Sequence, residues 1–142
     1  MVNIKSKIDI DGIKKAGEIV NKVLNELSAM TKPGIKTIEY DIIAEKEALS
    51  LNAIPAFKGY NGFPYSVCVS VNEEVVHGFP SQRKLREGDI VSLDYGIYYN
   101  GYYAFYIYFA FKVDHFTGLD MRNYFVFYLF RRFFAVNPDY FA

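Results

Sequence analysis

The sequence contains one cysteine and no excess of charge of either sign. Cys68 cannot form a disulfide bond within the chain, which fits a reducing compartment. Sixteen Lys and Arg residues balance sixteen Asp and Glu residues, so the composition gives no indication of a nucleic-acid or anionic-membrane partner. Residues 1–15 are rich in charge and lack the apolar core of a secretory signal. We therefore expect a cytoplasmic protein.

Glutamate is missing after Glu87, and aromatic residues become frequent in the same part of the chain. Of the 13 Tyr and 13 Phe residues, 17 lie in the last 41 positions. The 17 residues between Asp94 and Lys112 are all uncharged, which is close to the lower limit for a membrane span. The Asn100-Gly101 pair and the many Tyr hydroxyls argue against a span, because Asn-Gly belongs to a hairpin turn and each buried hydroxyl would need a partner. We expect no membrane helix.

The chain has 142 residues, the length of one ordinary domain, and its first part predicts two packing helices. Ser6 followed by Asp9 predicts a helix N-terminus with a capping box, and "TKPG" at 31–34 predicts its end. Thr37 is expected to cap a second helix that ends near Leu51. The expected core contacts are Ile13, Ala16, Val20, Val23, Leu24 and Leu27 of the first helix and Ile38, Ile42, Leu49 and Leu51 of the second.

The middle of the chain predicts a loop followed by short strands. "GYNGFP" at 59–64 combines Gly and Pro with aromatic residues, as a loop that lines a pocket often does. "YSVCVSV" at 65–71 alternates apolar and other residues strictly, which predicts a half-buried strand. After a turn at "NEE", His77 is expected at the end of a short second strand, "VVHGFP".

A hairpin is the strongest local prediction, because two apolar runs flank Asn100-Gly101. With a two-residue loop, the numbers of paired residues sum to 201. Asp94 then lies opposite Ile107, and Gly96, on the same face, lies opposite Phe105. Position 105 is therefore a diagonal neighbour of the carboxylate at position 94.

Three runs carry a resemblance to a known family: "TKPGIKTIEYD", "AFKGYNGFPYSVCVSVNEEVVHGFPS" and "LREGDIVSLDYGIYYNGYY". From about Ser6 to Tyr103 the sequence resembles the methionine aminopeptidases, cytoplasmic metalloenzymes that remove the initiator methionine from new proteins. The resemblance implies an α+β fold, half of a pita-bread domain, with two helices packed on an antiparallel sheet. We expect residues 1–103 to form that half and residues 104–142 to form a divergent aromatic tail.

The resemblance also implies a pair of divalent metal ions (Mn, Co, Fe or Zn). In the family, two aspartates eleven residues apart on a hairpin, a histidine and two glutamates hold the ions. Asp94 matches the first aspartate, whereas Phe105 stands at the position of the second. After Asp94 the sequence has one histidine, His115, and no glutamate. A lone carboxylate holds a divalent ion only weakly, so we expect metal binding by this chain to be weak or absent.

The substrate-binding positions match the family better than the metal ligands do. By resemblance, the apolar slot for the methionine side chain is formed by Phe57, Tyr60, Phe63 and Cys68. His77 matches the histidine that contacts the scissile amide and stabilises charge in the tetrahedral intermediate. Without the resemblance, Asp94 reads as a solvent-facing strand residue, His77 as a loop histidine, and the aromatic residues as core.

Two functions therefore stay open. The chain is either methionine aminopeptidase-like, inactive when it acts alone, or a non-catalytic relic or binding module that recognises peptide N-termini. The tail is explained either by out-of-frame translation or by real divergence of a half-domain that pairs with another chain. Because its exposed sheet would lack a cover, we expect self-association through that sheet.

Overall fold

The computed structural model describes residues 4–113, which form two helices packed on one face of an antiparallel sheet. This is the α+β arrangement that the sequence predicts. A short 3-10 turn, Tyr60–Gly62, lies between the first two strands. The helices and strands are α1 (Lys7–Ala29), α2 (Thr37–Ser50), β1 (Ile54–Pro55), β2 (Val67–Val71), β3 (Ile90–Tyr99) and β4 (Tyr102–Lys112).

Helix α1 begins and packs as predicted. The Ser6 hydroxyl accepts a hydrogen bond from the Asp9 amide at 3.2 Å, and the Asp9 carboxylate accepts one from the Ser6 amide at 2.8 Å. This capping box satisfies two amide groups that the first turn would otherwise leave unpaired. All six predicted core residues of α1 are buried. They repeat at helical spacing and give α1 one apolar face, which lies on β3 and β4.

Helix α2 presents a different face to the core from the one predicted. Ile42 and Leu49, expected in the core, are 59% and 56% exposed, while Leu51 packs against the core as expected. The buried residues of the helix are Thr37, Tyr40, Asp41, Ala44 and Ala48.

Polar contacts with the sheet explain the orientation of α2. The Tyr95 hydroxyl donates to the Ala44 carbonyl at 3.0 Å, and the Asp41 carboxylate accepts from the Ser66 amide. The small alanine side chains let the helix approach closely enough for these bonds. The predicted cap is also wrong by one residue: Lys36 is the N-cap, because the Thr37 hydroxyl bonds instead with the backbone of Ser81.

Strand β3 is the centre of the sheet, and β4 pairs with it in the predicted register from Tyr99 to Leu93. A bulge between Val91 and Leu93 then shifts the pairing by one residue, so that Val91 lies opposite Phe111. Asp94 lies opposite Ile107 and Gly96 lies opposite Phe105. Asn100 and Gly101 both have positive φ, at 47° and 87°, as a two-residue hairpin turn requires. Strands β1 and β2 pair with the other edge of β3. The side chains of Val91, Leu93, Tyr95 and Ile97 are fully buried in the core.

Two predictions about the middle of the chain are wrong in detail. Strand β2 is buried along its whole length rather than half-buried, because the segment around Gly78 returns across it. His77 does not end a second strand: it lies in a loop with φ 58°. Gly78 bonds back to β2, which bends the chain at His77 and prevents a strand there.

The hairpin continues past the predicted domain boundary at residue 103. Strand β4 ends at Lys112, and the next residue, Val113, is buried. The division of the chain into a half-domain and a tail stays a prediction, and residues 114–142, with His115 among them, lie outside the described residues. No helix within residues 4–113 combines the length and the apolar character that crossing a membrane requires.

Candidate functional site

The candidate site lies on the face of the sheet that points away from the helices. Alternate residues of β3, among them Asp94, Gly96 and Tyr98, point to this face because side chains alternate along a strand. Asp94 is flanked by Cys68 on β2 and by Ile107 on β4. The carboxylate is therefore held in the middle of the sheet between a weakly polar thiol and an apolar side chain.

Burial dominates the electrostatics of Asp94 and Cys68. It raises the pKa of the Asp94 carboxyl to about 6, and the nearby positive charge of His77 opposes that shift. Burial also raises the pKa of the Cys68 thiol to about 12, and the negative charge of Asp94 adds to this effect. Cys68 is consequently a neutral thiol at physiological pH and acts as a small apolar wall of the site.

An aromatic stack fills the space beside Asp94. The Phe105 ring stacks on Phe57, with centroids 5.8 Å apart, and on Tyr103, with centroids 6.0 Å apart. It lies directly over Gly96, where an added Cβ would come within 2.2 Å of the ring. The missing side chain of Gly96 thus leaves the hollow that Phe105 occupies. We call Phe57, Phe105 and Tyr103 the aromatic stack.

The other predicted pocket residues divide between two places. Phe63 belongs to a second aromatic cluster, packing edge-on against Tyr65 at 5.9 Å and against Phe79 at 5.1 Å. Tyr60 lies in the preceding 3-10 turn and is half exposed, and Cys68 lies beside Asp94. Tyr65 and Phe79 were not predicted as site residues. They lie within "YSVCVSV" and "VVHGFP", which were predicted as strands, and only the folding of the loop onto β2 brings them together.

His77 reaches the site through a loop that is fixed to β2. The Gly78 amide donates to the Ser70 hydroxyl at 3.1 Å, and the Gly78 carbonyl accepts from the Val69 amide at 2.9 Å. A Cβ on Gly78 would come within 2.2 Å of the Val69 carbonyl oxygen, so only glycine fits there. His77 itself is exposed, and its charge acts on Asp94.

Residues 11–124 match the family model of metallopeptidase family M24, which is most of the chain. The chain belongs to metallopeptidase family M24. Among curated M24 relatives, it is 50% identical over 103 residues to a methionine aminopeptidase of Clostridium acetobutylicum, covering 72% of this chain and 41% of the relative. It is also 50% identical over 104 residues to methionine aminopeptidase 1 of Bacillus subtilis, covering 73% of this chain and 42% of that protein. The chain thus spans about two fifths of the length of these relatives.

A solved structure of an M24 peptidase shows the same architecture. Methionine aminopeptidase from Thermotoga maritima superposes with a TM-score of 0.72 and 41% sequence identity, over 81% of this chain and 47% of that one. The resemblance to methionine aminopeptidases is confirmed, and so is the fold: the described residues form one half of a pita-bread domain. The roles assigned to individual site residues stay predictions.

M24 membership implies the use of divalent metal ions, but the described residues do not fit a metal pair. The position diagonal to Asp94 holds the Phe105 ring, which offers no oxygen and is packed on both faces. Nowhere in residues 4–113 do three or more His, Cys, Asp or Glu side chains gather in an arrangement that could hold a metal ion. Divalent ions prefer several oxygen or nitrogen ligands at once. Asp94 alone does not supply them.

Proposed function

We propose that this chain is methionine aminopeptidase-like and carries the part of the enzyme that recognises an N-terminal methionine, without completing a hydrolytic site by itself. The sequence identity of about one half to methionine aminopeptidases supports the assignment. The complete activity would remove the N-terminal methionine from nascent proteins with Mn, Co, Fe or Zn. It would take place in the cytoplasm and needs no nucleic-acid partner.

Three residues have roles in this proposal that their positions allow. Cys68 would form one apolar wall of the slot for the methionine side chain, since its thiol is buried and neutral. Phe63, supported by Tyr65 and Phe79, would form an aromatic wall, against which a thioether packs favourably. His77 would contact the amide that follows the methionine, because its loop is fixed to β2 and its charge acts on Asp94.

A second candidate, a non-catalytic module that binds peptide N-termini, is favoured by one observation. Phe105 occupies the place where the family has its second aspartate, and the aromatic stack holds the ring there. More of the family's substrate-binding residues than of its metal ligands are thus present in the chain. In this second candidate, the residues that keep a binding role are Phe57, Tyr60, Phe63 and Cys68. Asp94 would bind no metal ion.

Peptide hydrolysis tests whether the chain completes a hydrolytic site, and peptide binding tests whether it recognises an N-terminal methionine. The purified full chain is incubated with the peptide Met-Ala-Ser and Mn, Co, Fe or Zn in turn, and released methionine is measured. In parallel, calorimetry measures binding of the same peptide in the presence of a chelator. We expect no methionine above a metal-only blank, together with binding that the chelator leaves unchanged.

Phe63→Ala tests whether the binding uses the proposed slot. It should weaken peptide binding several-fold, because the wall of the slot loses an aromatic face. Ile42→Ala is the matched control, since Ile42 is exposed on α2, and should bind as the unchanged chain does. Methionine release that Asp94→Ala abolishes would establish the peptidase instead of the module. Absence of both release and binding would reject the proposed function.

A further inference from the structure

His77 has a backbone conformation that few side chains adopt. Its φ is 58°, in the left-handed region, where the Cβ atom crowds the backbone. Glycine and asparagine are the residues for which this region costs least. The other positions with positive φ within residues 4–113 are glycines and the asparagines Asn52, Asn61, Asn72 and Asn100. A histidine persists in this conformation only where its surroundings hold it there.

The surroundings that hold His77 are in the backbone and not in side-chain packing. The His77 side chain is exposed, and the two residues before it, Val75 and Val76, are 79% and 51% exposed. The residue after it, Gly78, is instead bound to β2 on both sides of its Cα atom. Its amide donates to the Ser70 hydroxyl at 3.1 Å, and its carbonyl accepts from β2 at 2.9 Å. These two bonds fix where the chain leaves His77.

Ser70 makes the one of these two bonds that depends on a side chain. The bond to the Gly78 carbonyl comes from the Val69 amide, which almost any residue at position 69 would supply. The Ser70 hydroxyl is held inside the protein, since Ser70 is only 4% exposed. Ser70 also shares the site face with Cys68, because residues two apart on a strand point to the same side. The hydroxyl therefore holds Gly78 close to the candidate site.

We infer that Ser70 is a positioning residue for His77: its hydroxyl holds Gly78 on β2 and thereby keeps His77 in the left-handed conformation. The consequence for binding rests on the proposed function, in which His77 contacts the amide that follows the methionine. In this role Ser70 contacts no ligand, so its whole effect on a peptide passes through His77.

NMR spectroscopy of the full chain tests the positioning without any ligand. Ser70→Ala should shift the backbone signals of residue 77, because the chain can then leave the left-handed region. It should also speed hydrogen exchange of the Gly78 amide about fivefold, roughly the net value of one neutral hydrogen bond. Ser66→Ala is the matched control, since Ser66 directly precedes β2, is fully buried, and has a hydroxyl without a hydrogen-bond partner in residues 4–113. It should leave both signals unchanged.

Calorimetry with Met-Ala-Ser and a chelator tests the consequence for binding. Ser70→Ala should weaken binding about threefold in the otherwise unchanged chain. In a chain that already carries His77→Ala, the same substitution should have no effect, because the side chain that it would misplace is gone. A serine that only stabilised the fold would weaken binding in both chains alike.

Each outcome decides the inference. Unchanged signals of residues 77 and 78 in Ser70→Ala overturn it and leave the proposed function standing. An equal loss of peptide binding with and without His77 also overturns it, since Ser70 would then act by another route. Failure of the unchanged chain to bind Met-Ala-Ser rejects the proposed function, and the NMR comparison with Ser66→Ala then decides whether Ser70 positions His77.

Discussion

At the residue scale, the packing at the centre of the site depends on Gly96, which has no side chain. Gly96 leaves a hollow in the sheet, and the Phe105 ring covers it so closely that any Cβ at position 96 would collide with the ring. The same ring stands beside Asp94, on the position where a second carboxylate would be needed for a metal pair. One residue thus packs over Gly96 and fills the position diagonal to Asp94 with a ring that offers no oxygen ligand.

The pH dependence of the free energy of unfolding should show how much the buried, ionised Asp94 carboxylate destabilises the folded chain. Burial raises the pKa of Asp94 from 3.8 to about 6. Between these values the folded chain binds a proton that the unfolded chain has lost, so stability falls as pH rises through this window and levels off above it. Asp94→Asn removes the penalty. We expect the variant to be more stable by roughly 1–2 kcal/mol at about pH 7.5 and equally stable near pH 4.

Urea unfolding at the two pH values, with a chelator present, measures this difference. Asp11→Asn on α1 serves as the control for the lost charge, and as an exposed substitution it should change stability little. A variant at position 94 that is less stable than the parent at the higher pH would show that the carboxylate is well compensated in the folded chain.

At the element scale, local turn chemistry is predictable from sequence, whereas the rotation of a helix is not. The hairpin register from Tyr99 to Leu93 followed from Asn100-Gly101 alone, because a two-residue turn fixes the successive pairs. Beyond Leu93 a β-bulge, which the turn does not predict, shifts the pairing by one residue. The face of α2 did not follow from its apolar residues. Tyr95 and Asp41 fix that face through hydrogen bonds to residues distant in sequence, and no periodicity shows such bonds.

Contact between α1 and the hairpin can be tested with two glycines of the same helix. The Tyr102 ring lies over Gly12, where a Cβ would come within 2.2 Å of it, and the Tyr102 hydroxyl donates to Asp9 at 3.2 Å. Gly17 has no atom within 4 Å of an added Cβ. Gly17→Ala should therefore stabilise the chain by about 0.5–1 kcal/mol through helix propensity. Gly12→Ala should destabilise it by roughly 1 kcal/mol, because displacing the ring costs more than that gain.

Chemical denaturation of both variants measures how much each substitution changes the free energy of unfolding. A double mutant then shows whether the Tyr102 ring causes the difference. If the Tyr102 ring is responsible, Tyr102→Ala should be less costly in the Gly12→Ala chain than in the parent, since the clash disappears with the ring. Equal stabilisation by both alanines would mean that the Tyr102 ring does not resist a side chain at position 12.

At the scale of the whole molecule, the two faces of the sheet differ in how well they are covered. The helices fully bury the central side chains of one face, Val91, Leu93, Tyr95 and Ile97, whereas the site face leaves Ile54, Phe105 and Ile107 between 38% and 57% exposed. The sequence predicted the site face through the alternation of β3. It did not predict that the pocket residues divide between the aromatic stack and the Phe63 cluster, because loops 57–63 and 72–80 are positioned by contacts across the sheet.

The exposed apolar side chains of the site face should make the chain self-associate. Its apolar side chains adjoin one another around the aromatic stack, and burying such a surface in a second copy removes it from water. We expect sedimentation velocity to show oligomers that grow with protein concentration. Ile54→Lys places a charge on this face, opposite Tyr98, and should weaken association about tenfold, because that charge would have to be buried in the interface. Ile42→Lys adds the same charge to an exposed position on α2 and should leave association unchanged. Equal effects of the two lysines would place the interface elsewhere, and a monomer at all concentrations would mean that the face is stable in water.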